Sequence, residues 1–512
     1  MSRPLGLQNQ FNAGMKRDAP RNRMAPNSAW NLEDFVLDYG APARERGGWA
    51  HASNDIAAVT ASASYARGGI FAIFSPTAGA LPLNIVLDED GLLYTVAQDG
   101  TVTLVGAALT IAQNPVFHGG TAASAATAVY TGLVIIPDGT GAAVPKKFNG
   151  TTLSNLGGSP PMARFATVYG DYTVLGNGTV SSVHYPNRIW FSPPGDPDAG
   201  FSGSQTAWDT TDSWIDFSLP IEGLAATKNA LLVFHADRVT RIRGNSPPPD
   251  EDMVVDDPFQ LVGLLDPFSI TLHQDMVYWC APEGVFRTDG VSLDNITLKG
   301  GMLRYWLDMQ VDATTAWTFA TGIIRDNLII AVMDGTTFVD AFVVNLSNYA
   351  WGRLKNLDAI SMWDGLYGNA DEEFFARRGA ARVGRLETMY AVGESAYKND
   401  GDGDAVVSVL ETSFYELGAP GLKVIKNVWA GYSLTDYATD NPSIAVSFIS
   451  TPEDESYTSI GTMSEQSAYA RQRIPIGGRH YGIALKFARS GAGDFLGYDL
   501  ACDVHAQEQS KL

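Results

Sequence analysis

The sequence predicts an all-β protein: a β-propeller of six or seven blades, preceded by an extended N-terminal arm and followed by a C-terminal β-sandwich-like domain. Three observations lead there. Among 512 residues only 18% are charged, while 52 are Gly and 26 are Pro, a balance that favours short strands and tight turns over long solvated helices. The apolar fraction of 45%, with 11% aromatics, is ample for a buried core. Finally, one phrase returns along the chain from about residue 55: a polar or glycine turn followed by an apolar β-type run.

Residues 1–50 read as the arm. Lys16, Arg17, Arg21 and Arg23 stand among Asn, Pro and Met with no period of 2 or 3.6, the composition of a segment that orders on a partner. Leu32, Phe35, Val36 and Leu37 then make a short apolar run, and Arg44 to Trp49 a charged turn ending on an aromatic.

Residues 51–396 carry the repeated phrase. It appears after Gly91, Gly132, Asp171, Asn229, Asp275 and Asn327, as in Leu133-Val134-Ile135-Ile136 and Leu231-Leu232-Val233-Phe234. The spacing of about 40–60 residues is near the period of a four-stranded blade. A second strand often follows another turn, as in Val239 to Ile242 and Gly284 to Arg287. Gly, Asn and Asp suit such hairpins because they tolerate positive φ. Helix is scarce: only residues 299–310 offer an apolar side for one or two turns, and residues 372–385 are too mixed to assign.

Residues 397–512 change character. A polar string from Lys398 to Asp404 is followed by strand-like runs at 406–410, 424–432, 444–450, 473–476 and 481–487, which predict a two-sheet sandwich, and by a polar tail from His505 that frays.

The chemistry of the chain is mostly exclusion. Seven histidines, at 51, 118, 184, 235, 273, 480 and 505, show no metal-ligand spacing and read as surface or loop residues. Cys280 and Cys502 cannot make a disulfide framework or a zinc site and read as buried thiols in a reducing compartment. There is no Gly-x-Ser-x-Gly elbow, no phosphate loop and no dinucleotide fingerprint. Asp400, Asp402, Asp404 and Glu411 have the spacing of calcium-loop ligands, but Ala405 stands where that loop needs Gly and the flanks read as strands. A solvated hairpin turn is the better reading, and no metal or cofactor residue is assigned. With 56 acidic residues, no carboxylate pair stands out as a glycosidic acid and base. The net charge of −21 argues against wrapping the outside of nucleic acid. The N-terminal residues lack the apolar core of a signal peptide, and the most apolar stretch, residues 122–136, is too short and too polar to span a membrane.

Several phrases carry a resemblance. Asn187-Arg188-Ile189-Trp190-Phe191-Ser192, with its Asp196-Pro197 turn, is similar to a strand and turn common in tail proteins of tailed bacteriophages. Ile221-Glu222-Gly223-Leu224, leading to Leu231–Phe234 and Arg241–Gly244, resembles the next blade of that group, and Pro145 to Thr152 resembles its hairpin. Phe11-Asn12-Ala13-Gly14 with Arg46-Gly47-Gly48 is similar to its N-terminal arm, although Ala13 replaces a glycine. The family is that of β-propeller tail nozzles or tail hubs of short-tailed phages. The resemblance implies a homohexameric ring or tube below the portal-adaptor ring, meeting fibres or spikes, through which viral DNA passes without sequence-specific binding. It implies a place in the virion tail after assembly in the host cytoplasm, and no enzyme activity. A receptor-binding or polysaccharide-degrading tail protein is the alternative. After about residue 440 no family motif is present.

Overall fold

The computed structural model describes residues 5–8, 11–25, 27–37, 43–46, 49–54, 56, 65–74, 81–107, 109–119, 132–198, 207–249, 252–311, 317–335, 337–367, 370–377, 380, 382–390, 400, 406–415, 423–433, 443–452, 456–464, 469–490 and 496–506. Among them the protein is almost entirely strand, and its centre is a β-propeller. Six four-stranded antiparallel sheets stand free, and a seventh four-stranded meander begins a larger sheet. In ring order the innermost strands are Ala66–Phe74, Val116–His118, Met162–Tyr169, Gly223–Ala226, Thr271–His273, Trp317–Ile324 and Ala359–Tyr367. We number the blades 1 to 7 in that order, blade 6 being the one that continues outward.

The turns explain the repeat. Gln274 and Asp275 both have positive φ, as do Arg325 and Asp326, the conformation of two-residue hairpin turns that match strand twist. The phrases after Gly132, Asp171, Asn229, Asp275 and Asn327 are the second strands of blades 2 to 6. That after Gly91 is the third strand of blade 1. Second strands are covered by neighbouring blades on both faces; Leu231–Phe234 of blade 4 and Asn327–Met333 of blade 6 are buried throughout.

Apolar clusters fill the gaps between successive blades. Leu175 and Trp190 of blade 3 pack with Leu133 and Ile135 of blade 2. Trp279 of blade 5 packs with Phe234 of blade 4, and Trp363 of blade 7 with Val86 and Tyr94 of blade 1. The last contact closes the ring. Blade 7 takes its outer strand from the other end of the propeller sequence: Ala50–His51 pairs with Gly384–Arg385.

The N-terminal segment departs from the expected arm. It has extended backbone, but Phe11, Met15, Ala29, Leu32 and Phe35 are buried in one cluster with Trp306, Phe342 and Trp351. Ala29–Glu33 joins blade 6 beside Trp351–Leu354, and Met15 N–H donates to Trp351 O at 2.6 Å. Three of the four basic residues are used internally, and Arg23 is exposed. Lys16 Nζ donates to Gly300 O at 2.6 Å, and the Arg17 guanidinium lies 4.2 Å from the Trp30 ring. Arg21 donates to Thr412 O at 2.8 Å. Composition misled here because these cations bury their stems against aromatics rather than reach into solvent.

The C-terminal residues form the expected two sheets, woven into blade 6 and the N-terminal segment. One sheet runs from blade 6 through Ala29–Glu33, Val407–Thr412, Ala484–Ser490 and Ser443–Ile449 to Thr458–Ser464. The other joins Phe35–Val36, Arg44–Glu45, Leu496–Ala506, Lys423–Ser433 and Tyr469–Pro475, with Leu5–Gln8 at its side. Ile474 of the second sheet shares a core with Val446 and Leu485 of the first. His505, read as the start of the tail, lies in the strand Leu496–Ala506; the rest of that tail lies outside the described residues. The predicted helix is two helices, Ile296–Gly300 and Leu303–Val311, the first capped by Asn295 Oδ1 on Leu298 N–H at 2.8 Å.

Candidate functional site

Propeller chemistry is usually sought on the axis, where the innermost strands converge. Here two segments cross that axis and close it. The segment entering blade 2 reaches blades that are not its neighbours. Gln113 Nε2 donates to Leu224 O of blade 4 at 2.8 Å, and Asn114 Nδ2 to Met362 O of blade 7 at 2.8 Å. Asn114 Oδ1 also accepts from Gly69 N–H of blade 1 at 3.3 Å.

The second segment precedes blade 5. Asp266 caps the single turn Pro267–Ser269, its Oδ1 accepting from Phe268 N–H at 2.9 Å and its Oδ2 from Phe319 N–H of blade 6 at 3.2 Å. Phe268 then crosses to the cluster of blades 1 and 2, beside Ile111, Val134 and Phe148, with the Arg67 guanidinium 4.5 Å over its ring. Burial pushes the Asp266 carboxyl up to about 6, against the lowering effect of its two N–H donors and Arg67. None of these residues stood out in the sequence, although Asp-Pro before a short turn is a recognisable cap signal.

Cavities remain at both ends. One, of about 340 Å³, lies at the starts of the innermost strands and is lined by Ala66, Arg67, Thr318 and Ile360. The other, of about 540 Å³, lies at their ends, between blades 5, 6, 7 and 1. Its charged lining is Arg325, Asp364, Asp371, Glu372 and Glu387, with His273, while Phe71, Ile323, Ile324 and Leu366 supply apolar wall. Arg325 is paired with Glu387. Glu372 accepts from Glu387 N–H at 2.6 Å and lies 3.6 Å from Arg385, yet burial pushes it up to about 7. Next to it Glu373 is 1% exposed and raised well above its ordinary value, first by burial and then by Asp364. Its carboxyl occupies the space beneath Gly322 of blade 6, where any Cβ would collide with it. The residues left unassigned in the sequence thus form part of this wall.

The two described ends of the aspartate string have separate partners. Asp400 is buried against Arg46, Nη1 to Oδ1 at 2.7 Å, and accepts from Trp49 N–H at 3.1 Å. Glu411 belongs elsewhere, accepting from Tyr457 OH at 2.8 Å and pairing with Lys486 at 3.1 Å. Asp402 and Asp404 lie outside the described residues. Among the described residues no group of three His, Cys, Asp or Glu could hold a metal ion.

Two of the histidines correct the surface reading. His118 is buried with Nδ1 3.0 Å from Thr173 Oγ1, and His235 lies between Pro220 O at 2.7 Å and Thr240 Oγ1 at 3.2 Å. Burial holds both below the usual imidazole range. Cys280 is buried as expected, and burial pushes its thiol up. No described helix is long and apolar enough to cross a membrane.

The chain is similar to the WD40 β-propeller domain of Doa1, with a TM-score of 0.36 and 8% identity over 66% of this chain and 96% of that one. It is also similar to PorZ, a surface component of the type-IX secretion system of Porphyromonas gingivalis, with a TM-score of 0.35 and 8% identity over 75% of this chain and 44% of that one. No protein-family model and no curated protein matches the chain. The propeller assignment stands on the sheet topology itself.

Three of the phrases singled out in the sequence fall in consecutive blades. Residues 145–152 hold a hairpin of blade 2, 187–192 the third strand of blade 3, and 221–234 the first hairpin of blade 4. Two of them touch: Lys147 of the first pairs with Asp198, just after the Asp196-Pro197 turn of the second. Asp198 Oδ1 also accepts from Gly157 N–H at 2.6 Å.

Proposed function

We propose that this protein is a structural component of a short-tailed phage tail, a nozzle or hub that acts by assembly rather than by catalysis. The observation that carries the reading is the weave of both chain ends into blade 6. Residues 11–37 and the strands after residue 406 enlarge one blade into a nine-stranded sheet with a second sheet packed against it. A propeller working alone has no need of such a platform; a subunit that must hold neighbours on one side does.

The closed axis shapes the proposal. DNA in such an assembly passes between copies around a common axis and not through the bore of each propeller, which Phe268, Gln113 and Asn114 fill. The acidic surface suits that passage. A duplex carries one negative charge per ~1.7 Å, so a basic wall would retain it, whereas an acidic wall keeps it moving. Light scattering and negative-stain imaging of the purified chain test the reading: a six-fold ring supports it, and a tapered trimer or a monomer at all concentrations overturns it.

A further inference from the structure

His235 is fully buried in blade 4, just after the second strand, and its ring is tied to three other parts of that blade. Nδ1 lies 2.7 Å from Pro220 O, in the segment that enters the blade. A carbonyl oxygen only accepts, so Nδ1 carries a proton. Nε2 lies 3.2 Å from Thr240 Oγ1 of the third strand, and that hydroxyl lies 3.0 Å from Asp257 Oδ1 of the outer strand. Thr240 has one hydroxyl proton to give. Given to Asp257, it obliges Nε2 to donate, and the ring is an imidazolium facing a carboxylate across the hydroxyl. Given to Nε2, it leaves a neutral ring, and Asp257 keeps Ser218 Oγ at 3.3 Å and Arg238 at 4.0 Å. The two arrangements differ by one proton and one turn of a hydroxyl.

We propose that His235, Thr240 and Asp257 form a proton-operated latch on the rim of blade 4. In acid the imidazolium, hydroxyl and carboxylate make a continuous chain that holds the outer strand Val254–Gln260 to the interior. As pH rises the Nε2 proton passes to solvent, the Thr240 hydroxyl turns to the ring, and the outer strand loses its tie at Asp257. The charged groups around the ring are Asp257 on the outer strand and Asp237 and Arg238 on its own turn. Phe217, from the segment that enters the blade, packs against it with ring centroids 5.7 Å apart. Burial disfavours the imidazolium, while Pro220 O, Asp257 and Asp237 favour it and Arg238 opposes it, so the latch opens below the usual imidazole range.

Imidazole nitrogen NMR of the full chain, followed through acid titration, tests this. Above its midpoint His235 should show the neutral ring protonated at Nδ1, and below it the doubly protonated ring. Asp257→Asn should lower that midpoint by about one unit, a tenfold loss of proton affinity, and leave His118 of blade 2 where it is. The same change made in a Thr240→Val background should move the midpoint by less than half as much, and in Thr240→Ser, which keeps the hydroxyl, by the full amount. Amide exchange across Val254–Gln260, corrected for its intrinsic pH dependence, should be slower below the midpoint in the wild type and in Thr240→Ser but not in Thr240→Val. An unmoved midpoint in Asp257→Asn overturns the proposal. So does a full shift that survives Thr240→Val, which would be a charge acting through space, or protection of the outer strand that ignores pH.

Discussion

Arg46 and Asp400 form a buried two-point ion pair across 354 positions of chain, Nη1 to Oδ1 at 2.7 Å and Nη2 to Oδ2 at 3.1 Å. Arg46 also holds Asp34 at 2.8 Å, so one guanidinium ties the N-terminal segment to the chain that leaves blade 7. The pair corrects the reading of Asp400 as part of a solvated turn: it is a buried structural joint.

Asp400→Ala is expected to cost about 3 kcal/mol, because it removes one of two carboxylates from a buried guanidinium. Urea unfolding checks this through the midpoint. Added chelator or calcium should leave the wild-type melt where it is; a calcium-dependent rise would return the site to metal chemistry.

Removing residues 1–24 is expected to lower the melting temperature of the propeller, since Phe11 and Met15 belong to its largest apolar cluster. Gly14→Ala is the milder test. Gly14 has φ +66° and a Cβ there would lie 2.5 Å from Trp351 N, so a loss of about 1–3 kcal/mol is expected. A truncated chain that melts with the full-length protein would show that the segment is a free arm after all.

How much of this was legible in the sequence can be seen blade by blade. The phrases after Asp171, Asn229, Asp275 and Asn327 were readable because those second strands are largely buried, and three of their turns, at Gly170, Gln274-Asp275 and Arg325-Asp326, have positive φ. Blade 7 was not readable. Its second strand, Ala370–Arg377, carries Asp371, Glu372 and Glu373, and these acids erase the apolar run. The N-terminal segment was lost for another reason: its burial depends on Trp351 and Phe342, hundreds of residues away, and no local period records that. Gln113, Asn114 and Asp266 are ordinary polar residues until the ring brings other blades to them.

Phe268→Ala should open the axis and destabilise the fold by about 3–5 kcal/mol, the usual cost of emptying a buried aromatic site. Thermal unfolding measures it. An unchanged melt would mean that the ring holds together without its central plug.

Asp266 sets the sign of a pH dependence. Its folded value of about 6 lies above the ordinary 3.8, so the folded state holds the extra proton. Stability from this group is present at low pH and lost as pH rises from about 4 to about 6, an effect of roughly 3 kcal/mol. Asp266→Asn should flatten that part of the stability profile. A profile that keeps its slope assigns the effect to other carboxyls, Glu372 foremost, whose range extends to about 7.

The most direct test of the account is a cryo-electron microscopy reconstruction of the assembled oligomer. The account predicts six copies around a shared passage with an acidic wall, each propeller bore closed by Phe268. A passage running through the propellers themselves, a basic wall, or no ring at any concentration would contradict it.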